Sequence, residues 1–99
     1  MNTSTFNPLA KTIKFDDHTM WVEFSDGRIL GTPLVYFPRL LNASKQEREH
    51  YEISGGGVGL HCDELDEDIS VKHLFFGQPS GESQISLQKW LNIRAELNS

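Results

Sequence analysis

Ninety-nine residues are enough for one small domain, because two cores would leave each half too little burial to offset chain entropy. Apolar residues at 37% and charged residues at 23% suit an ordinary folded core and exclude a disordered chain. Nine Lys and Arg against fourteen Asp and Glu give a charge of −5, which removes the general attraction to phosphate backbones, so direct nucleic-acid binding is not expected. A single Cys excludes an internal disulfide, and with neither an export leader nor a long apolar run a cytoplasmic, non-membrane protein is expected.

The first eight residues are small and polar, and a flexible N-terminus over 1–8 is expected. From Leu9, "LAKTIKF" alternates roughly, "DDH" marks a turn, and "TMWVEF" alternates through Met20, Val22 and Phe24. "SDGR" then offers the Asp-Gly pair that a type I′ turn tolerates, and "RILGTPL" reads as a third strand. Pro38 suits the first turn of a short helix, "FPRLLN", and "SKQE" from Ser44 to Glu47 is a capping-box pattern opening a second short helix to about His50. "YEIS" and "GVGLHC" read as strands joined by a glycine turn.

Two further helices are expected. "ISVKHLFF" has helical spacing, with Asp66, Glu67 and Asp68 placed before it to cap free N–H groups, and with Gly77 and Pro79 as its stop. The last helix, capped by Ser80 or Ser83, gathers Leu87, Trp90, Leu91, Ile93 and Leu97 within about half its circumference. That face is either core or interface. The expected fold class is α+β: a three-stranded antiparallel meander extended by a short hairpin, with short helices and a C-terminal helix. The expected organisation is an α+β domain over 9–77 and a C-terminal amphipathic helix over 78–99.

The chemistry-bearing stretch is "SGGGVGLHCDELDED", Ser54 to Asp68. It lacks the Lys and Ser or Thr of a phosphate loop, and its acids would repel a phosphate, so a glycine turn is the better reading. An EF-hand beginning at Asp66 would put Val71 where Gly is needed and Gly77 where the bidentate Glu is needed, and one Cys with scattered His has no zinc spacing. No metal or other cofactor is expected. Strand neighbours His61 and Cys62 point to opposite faces and cannot easily pair as base and nucleophile, and no serine sits in a nucleophile elbow. Cys62 should be buried. No converging set of catalytic roles emerges, so the chain is not expected to be an enzyme.

Two acids would suffice for a helix cap, and the surplus, Asp63 and Glu64, makes a basic partner worth weighing against a solvated face. Phe37 is expected to be buried, or else to flank a contact with Arg39, which can pair with the acidic turn or face a ligand. Arg48 is equally open.

"FSDGRILGTPLVYFPRLLNAS", Phe24 to Ser44, and "GGGVGLHCDELDEDISV", Gly55 to Val71, together resemble the bacterial and phage family called domain of unknown function 2442. The motifs carrying this are the DGR turn, the Phe-Pro-Arg-Leu segment, the Ala-Ser helix start and the Glu-Leu-Asp-Glu-Asp-Ile run. Cys62-Asp63 departs from the Trp-Pro often found there. The resemblance implies a small α+β domain without an established activity, encoded beside another small protein in pairs that look like toxin–antitoxin modules.

The leading expectation is therefore a noncatalytic, antitoxin-like interaction protein that binds a small basic protein, the toxin of such a pair, through Phe37, Arg39, Arg48, Asp63, Glu64, Asp66 and Glu67. The alternative is a small-ligand or metal-binding accessory domain. A homodimer through the last helix is open.

Overall fold

In a computed structural model the chain is described over residues 8–97, so the expected flexible stretch 1–8 lies outside it apart from Pro8, which is buried. The fold is α+β, with two three-stranded antiparallel sheets, short helices and a C-terminal helix. The first sheet has the order β1 (Ala10–Phe15), β2 (Thr19–Phe24), β3 (Ile29–Pro33). Met20, Val22 and Phe24 alternate inward as the sequence predicts. The rougher alternation of β1 has a cause: the register slips between Ala10 and Thr12, a bulge that lets both Ala10 and Ile13 face the core.

The Asp-Gly turn is not type I′. Gly27 has φ +94° while Asp26 keeps a negative φ, and the Gly27 N–H donates to the Phe24 carbonyl at 2.9 Å. This is the three-residue hairpin with glycine in the bulge position. Asp26 is held there by accepting from the Arg28 N–H at 3.1 Å and from Arg28 Nε at 2.8 Å.

After β3 a 3-10 turn, Leu34–Tyr36, leads to α1 (Pro38–Leu41), which buries Leu40, and to α2 (Lys45–Glu49). The capping box forms as predicted, with Glu47 N–H donating to Ser44 Oγ at 3.1 Å and Ser44 N–H to Glu47 Oε1 at 2.8 Å.

The second sheet has the order β4 (Tyr51–Ser54), β5 (Gly59–Cys62), β6 (Glu67–Ser70). Gly55, Gly56 and Gly57 all take positive φ, and the Ala10 N–H donates to the Gly57 carbonyl at 2.8 Å, joining the first sheet to the glycine turn. Strand β6 corrects the sequence reading. Glu67 to Ser70 is paired sheet, with Ile69 opposite Leu60 and buried, and helix α3 covers only Val71–Phe75. The three acids therefore do not cap a helix. A four-residue run carries too little periodicity to separate strand from helix, and the unfilled edge of β5 decides the matter. Helix α3 stops as predicted, in a Schellman motif: Gln78 N–H donates to the His73 carbonyl at 3.2 Å and Gly77 N–H to that of Leu74 at 3.1 Å.

One core joins the two sheets. Met20, Val22 and Phe24 from the first sheet meet Leu34, Leu40, Leu60, Leu65, Val71 and Leu74 in a single buried cluster. The Phe24 and Phe75 rings lie 4.7 Å apart. Helix α4 (Gln84–Leu97) lies outside this cluster; Ser83 Oγ accepts from Ser86 N–H at 3.1 Å at its start, and no residue of α4 is fully buried. No helix among the described residues is long and apolar enough to cross a membrane.

Candidate functional site

The acidic stretch folds as the end of β5, a 3-10 turn at Asp63–Leu65, and β6. Leu65 is the buried anchor of that turn, and Asp66 takes the left-handed conformation, φ 50° and ψ 50°, that returns the chain into β6. Between these constraints Asp63, Glu64, Asp66 and Asp68 all project to solvent.

Two histidines are placed among the acids. His61 lies directly opposite Asp68 across the ladder, and its Nδ1 is 2.6 Å from Asp68 Oδ1 while its Nε2 is 2.7 Å from Asp63 Oδ1. A neutral imidazole has one donor, so only the imidazolium can donate to both carboxylates. Hydrogen bonds to Asp63 and then Asp68 accordingly raise the His61 pKa above its ordinary value, and Glu64 does the same for His50. A raised pKa means that the favourable contribution is complete below about pH 6.5 and is lost as pH rises through the folded-state pKa. In an NMR titration, both rings should titrate above the unfolded reference. Asp63→Asn and Asp68→Asn should each lower the His61 midpoint, and an unmoved midpoint would show that the ring does not bridge them.

Arg39 is the hub beneath this surface. Its Nε donates to both Glu82 carboxylate oxygens at 2.9 Å, and its Nη1 donates to the carbonyls of Leu65 at 3.0 Å and Asp66 at 3.2 Å. The guanidinium carbon also lies 5.1 Å from the centre of the Trp90 ring. Arg94 is bound similarly, donating to Glu47 at 2.8 and 2.9 Å and lying 4.6 Å from the Trp90 ring centre. The Arg94 pair, with the Ser44 N–H, holds the Glu47 carboxyl at about 2. Helix α4 is thus seated by one aromatic ring and two ion pairs.

Of the residues expected to meet a partner, Asp63, Glu64 and Asp66 are exposed together on one turn. Glu67 is half-buried, its pKa raised mainly by burial, and its Oε2 is a buried oxygen without a hydrogen-bond partner. Arg39 lies under the turn, bound to Glu82. Phe37 is in the core, the other reading the sequence allows. Arg48 is elsewhere in use, donating to the Leu40 carbonyl at 2.7 Å and the Leu41 carbonyl at 3.1 Å at the end of α1. Sequence reasoning missed Glu82, Trp90 and Arg94 as the seat of α4, since no local pattern relates residue 39 to 82 or 47 to 94.

Cys62 is buried, as predicted, and burial together with the charges of Glu67, Asp68 and Glu64 pushes its thiol up to about 11. At pH 8 its reaction with a disulfide reagent should be on the order of 100-fold slower in the native protein than in denaturant, from the lower thiolate fraction alone. Equal rates would mean that the site opens. Among the described residues no group of three His, Cys, Asp or Glu side chains is arranged to hold a metal ion.

The family described as protein of unknown function (DUF2442) matches residues 10–80, so the match takes in both sheets and stops before α4. The chain belongs to that family. It is similar to a crystal structure of a protein of unknown function from Rhodospirillum rubrum, at 28% identity and a TM-score of 0.69, over 79% of this chain and 96% of that one. It also shares its fold with an uncharacterized protein from Chromobacterium violaceum solved by solution NMR, at 19% identity and a TM-score of 0.64, over 74% of this chain and 69% of that one. No curated protein matches.

Proposed function

We propose that this chain is a noncatalytic interaction protein of the bacterial cytoplasm, antitoxin-like, that binds a small basic protein through the turn joining β5 to β6. The observation that carries this reading is the division of charge at the turn. Asp63, Glu64, Asp66 and Asp68 are exposed, while the neighbouring arginines, Arg39 and Arg94, are neutralised by Glu82 and Glu47. A turn anchored by Leu65 thus carries four exposed carboxylates against the two histidines, His50 and His61, that touch three of them, and the net negative charge favours a cationic partner and speeds its encounter. Arg39 supports this surface from beneath through the Leu65 and Asp66 carbonyls, while Phe37 packs in the core and Arg48 closes the end of α1.

The test is a native pull-down from cells retaining the neighbouring gene, followed by affinity measurements on the captured protein at several salt concentrations. Lysines replacing Asp63, Glu64 and Asp66 should weaken the complex at least about tenfold and flatten its salt dependence. A complex of unchanged affinity would sink the electrostatic reading.

A further inference from the structure

Leu60 and Cys62 are buried, so His61 between them stands on the outer face of the second sheet. On that face Glu52 of β4 and Asp68 of β6 lie directly opposite it on either side, and Asp63 meets its other ring nitrogen from the 3-10 turn. Carboxylates from three elements thus share one imidazole. His50, at the end of α2, is placed similarly: its Nδ1 is bound to Glu64, Glu49 is the other charge acting on the ring, and Arg94 acts on the same Glu64. The fourth exposed carboxylate of the turn, Asp66, has Arg39 Nη1 at 3.9 Å instead.

An imidazolium and a cationic partner compete here for the same oxygens. Lys or Arg side chains that take Asp63, Glu64 or Asp68 must displace a ring already bound to them. Two charged rings halve the charge of the four carboxylates, and two neutral rings restore it in full. The hydrogen bonds to these acids move both titrations upward from the ordinary histidine value of about 6.5, toward neutral pH. We propose that His50 and His61 are a proton switch on the acidic turn: charged, they occupy its carboxylates, and neutral, they release them to a cationic partner. This rests on the reading of a basic partner and adds the regulation of that surface. Binding should therefore tighten as pH rises and should expel protons, and the bound cation should in turn lower both histidine midpoints.

The probe is a short fluorescein-labelled oligolysine, whose ammonium groups stay charged between about pH 5.5 and 8.5, titrated against the full chain at constant low ionic strength. It should bind at least about tenfold more tightly at the upper pH than at the lower. His50→Gln with His61→Gln should abolish that difference, binding at the lower pH as tightly as the unaltered chain does at the upper. His18→Gln, in the turn between β1 and β2, should leave it intact. Calorimetry on the unaltered chain near pH 7, in two buffers of different ionisation enthalpy, should count about one to two protons released per complex. Circular dichroism checks the fold at both ends of the pH range.

Binding that is equal at both pH values and releases no protons, yet is lost when lysines replace Asp63, Glu64 and Asp66, would overturn the switch and leave the acidic-surface reading standing. A pH dependence that survives in the double glutamine variant would place the titrating group elsewhere and overturn the switch as well. No binding at any pH would overturn both.

Discussion

Replacing Arg39 by alanine should cost about 3 kcal/mol, the lower end of what breaking a buried ion pair costs. The side chains of Arg39 and Glu82 are only 14% and 9% exposed, so removal of the cation strands a carboxylate that water barely reaches. The loss spreads further. The carbonyls of Leu65 and Asp66 lose their donor, Trp90 loses one of its two guanidinium neighbours, and Glu67, whose pKa the Arg39 charge lowers against burial, loses that support. Urea unfolding should show the drop directly, with a fall in Tm of roughly 12 to 24 °C for a domain of this size.

Two companion variants separate charge from geometry. Arg39→Lys should recover less than half of the loss, because an ammonium cannot grip Glu82 and the two carbonyls together. Arg39→Met with Glu82→Leu should recover more of it, since the stranded carboxylate is then gone. A cost below about 1 kcal/mol for Arg39→Ala would place the pair among screened surface contacts and mean that α4 is held by something else.

The same residue shows where sequence reasoning stops. Wherever structure is set by neighbours in the chain, the sequence is legible: the Ser44–Glu47 capping box, Pro38 at a helix start and Gly77 at a helix end all form as read. The inward alternation of Met20, Val22 and Phe24 is legible for the same reason. Strand β6 is not, because "EDIS" is equally a helix start until β5 offers it an edge. The type I′ expectation at Asp26 fails for a subtler reason: one positive φ, at Gly27, closes the hairpin, and Asp26 gains more from binding Arg28.

The candidate site divides in the same way. Its carboxylates are visible as a cluster in the sequence, whereas their histidine partners depend on pairing. His61 faces Asp68 only because β5 and β6 are in register, and its other ring nitrogen meets Asp63 where the chain leaves β5 for the 3-10 turn. The partition of arginines into structural ties is invisible without the fold, because Glu82 and Glu47 are ordinary surface acids until α4 folds back.

The three glycines before β5 should differ sharply in what they tolerate. Gly57 has φ +119°, and a Cβ built there would lie 2.8 Å from the Ala10 carbonyl oxygen and 2.9 Å from the Ala10 nitrogen. Both contacts are backbone, and the Ala10 N–H is itself bound to the Gly57 carbonyl at 2.8 Å, so relief requires pulling the first sheet from the glycine turn. Backbone strain and overpacking each contribute about 1 to 3 kcal/mol, so Gly57→Ala should cost roughly 3 kcal/mol or more. Gly56, at φ +71° with nothing within 4 Å of the added Cβ, should cost only about 1 kcal/mol, the penalty of a left-handed alanine. Chemical denaturation of the two variants under one condition makes the comparison. A wide gap assigns the run to close backbone approach at the joint between the sheets. Equal small costs would mean that the turn moves freely on Ala10, and the rigid seating of β5 and its acidic end would lose its physical basis.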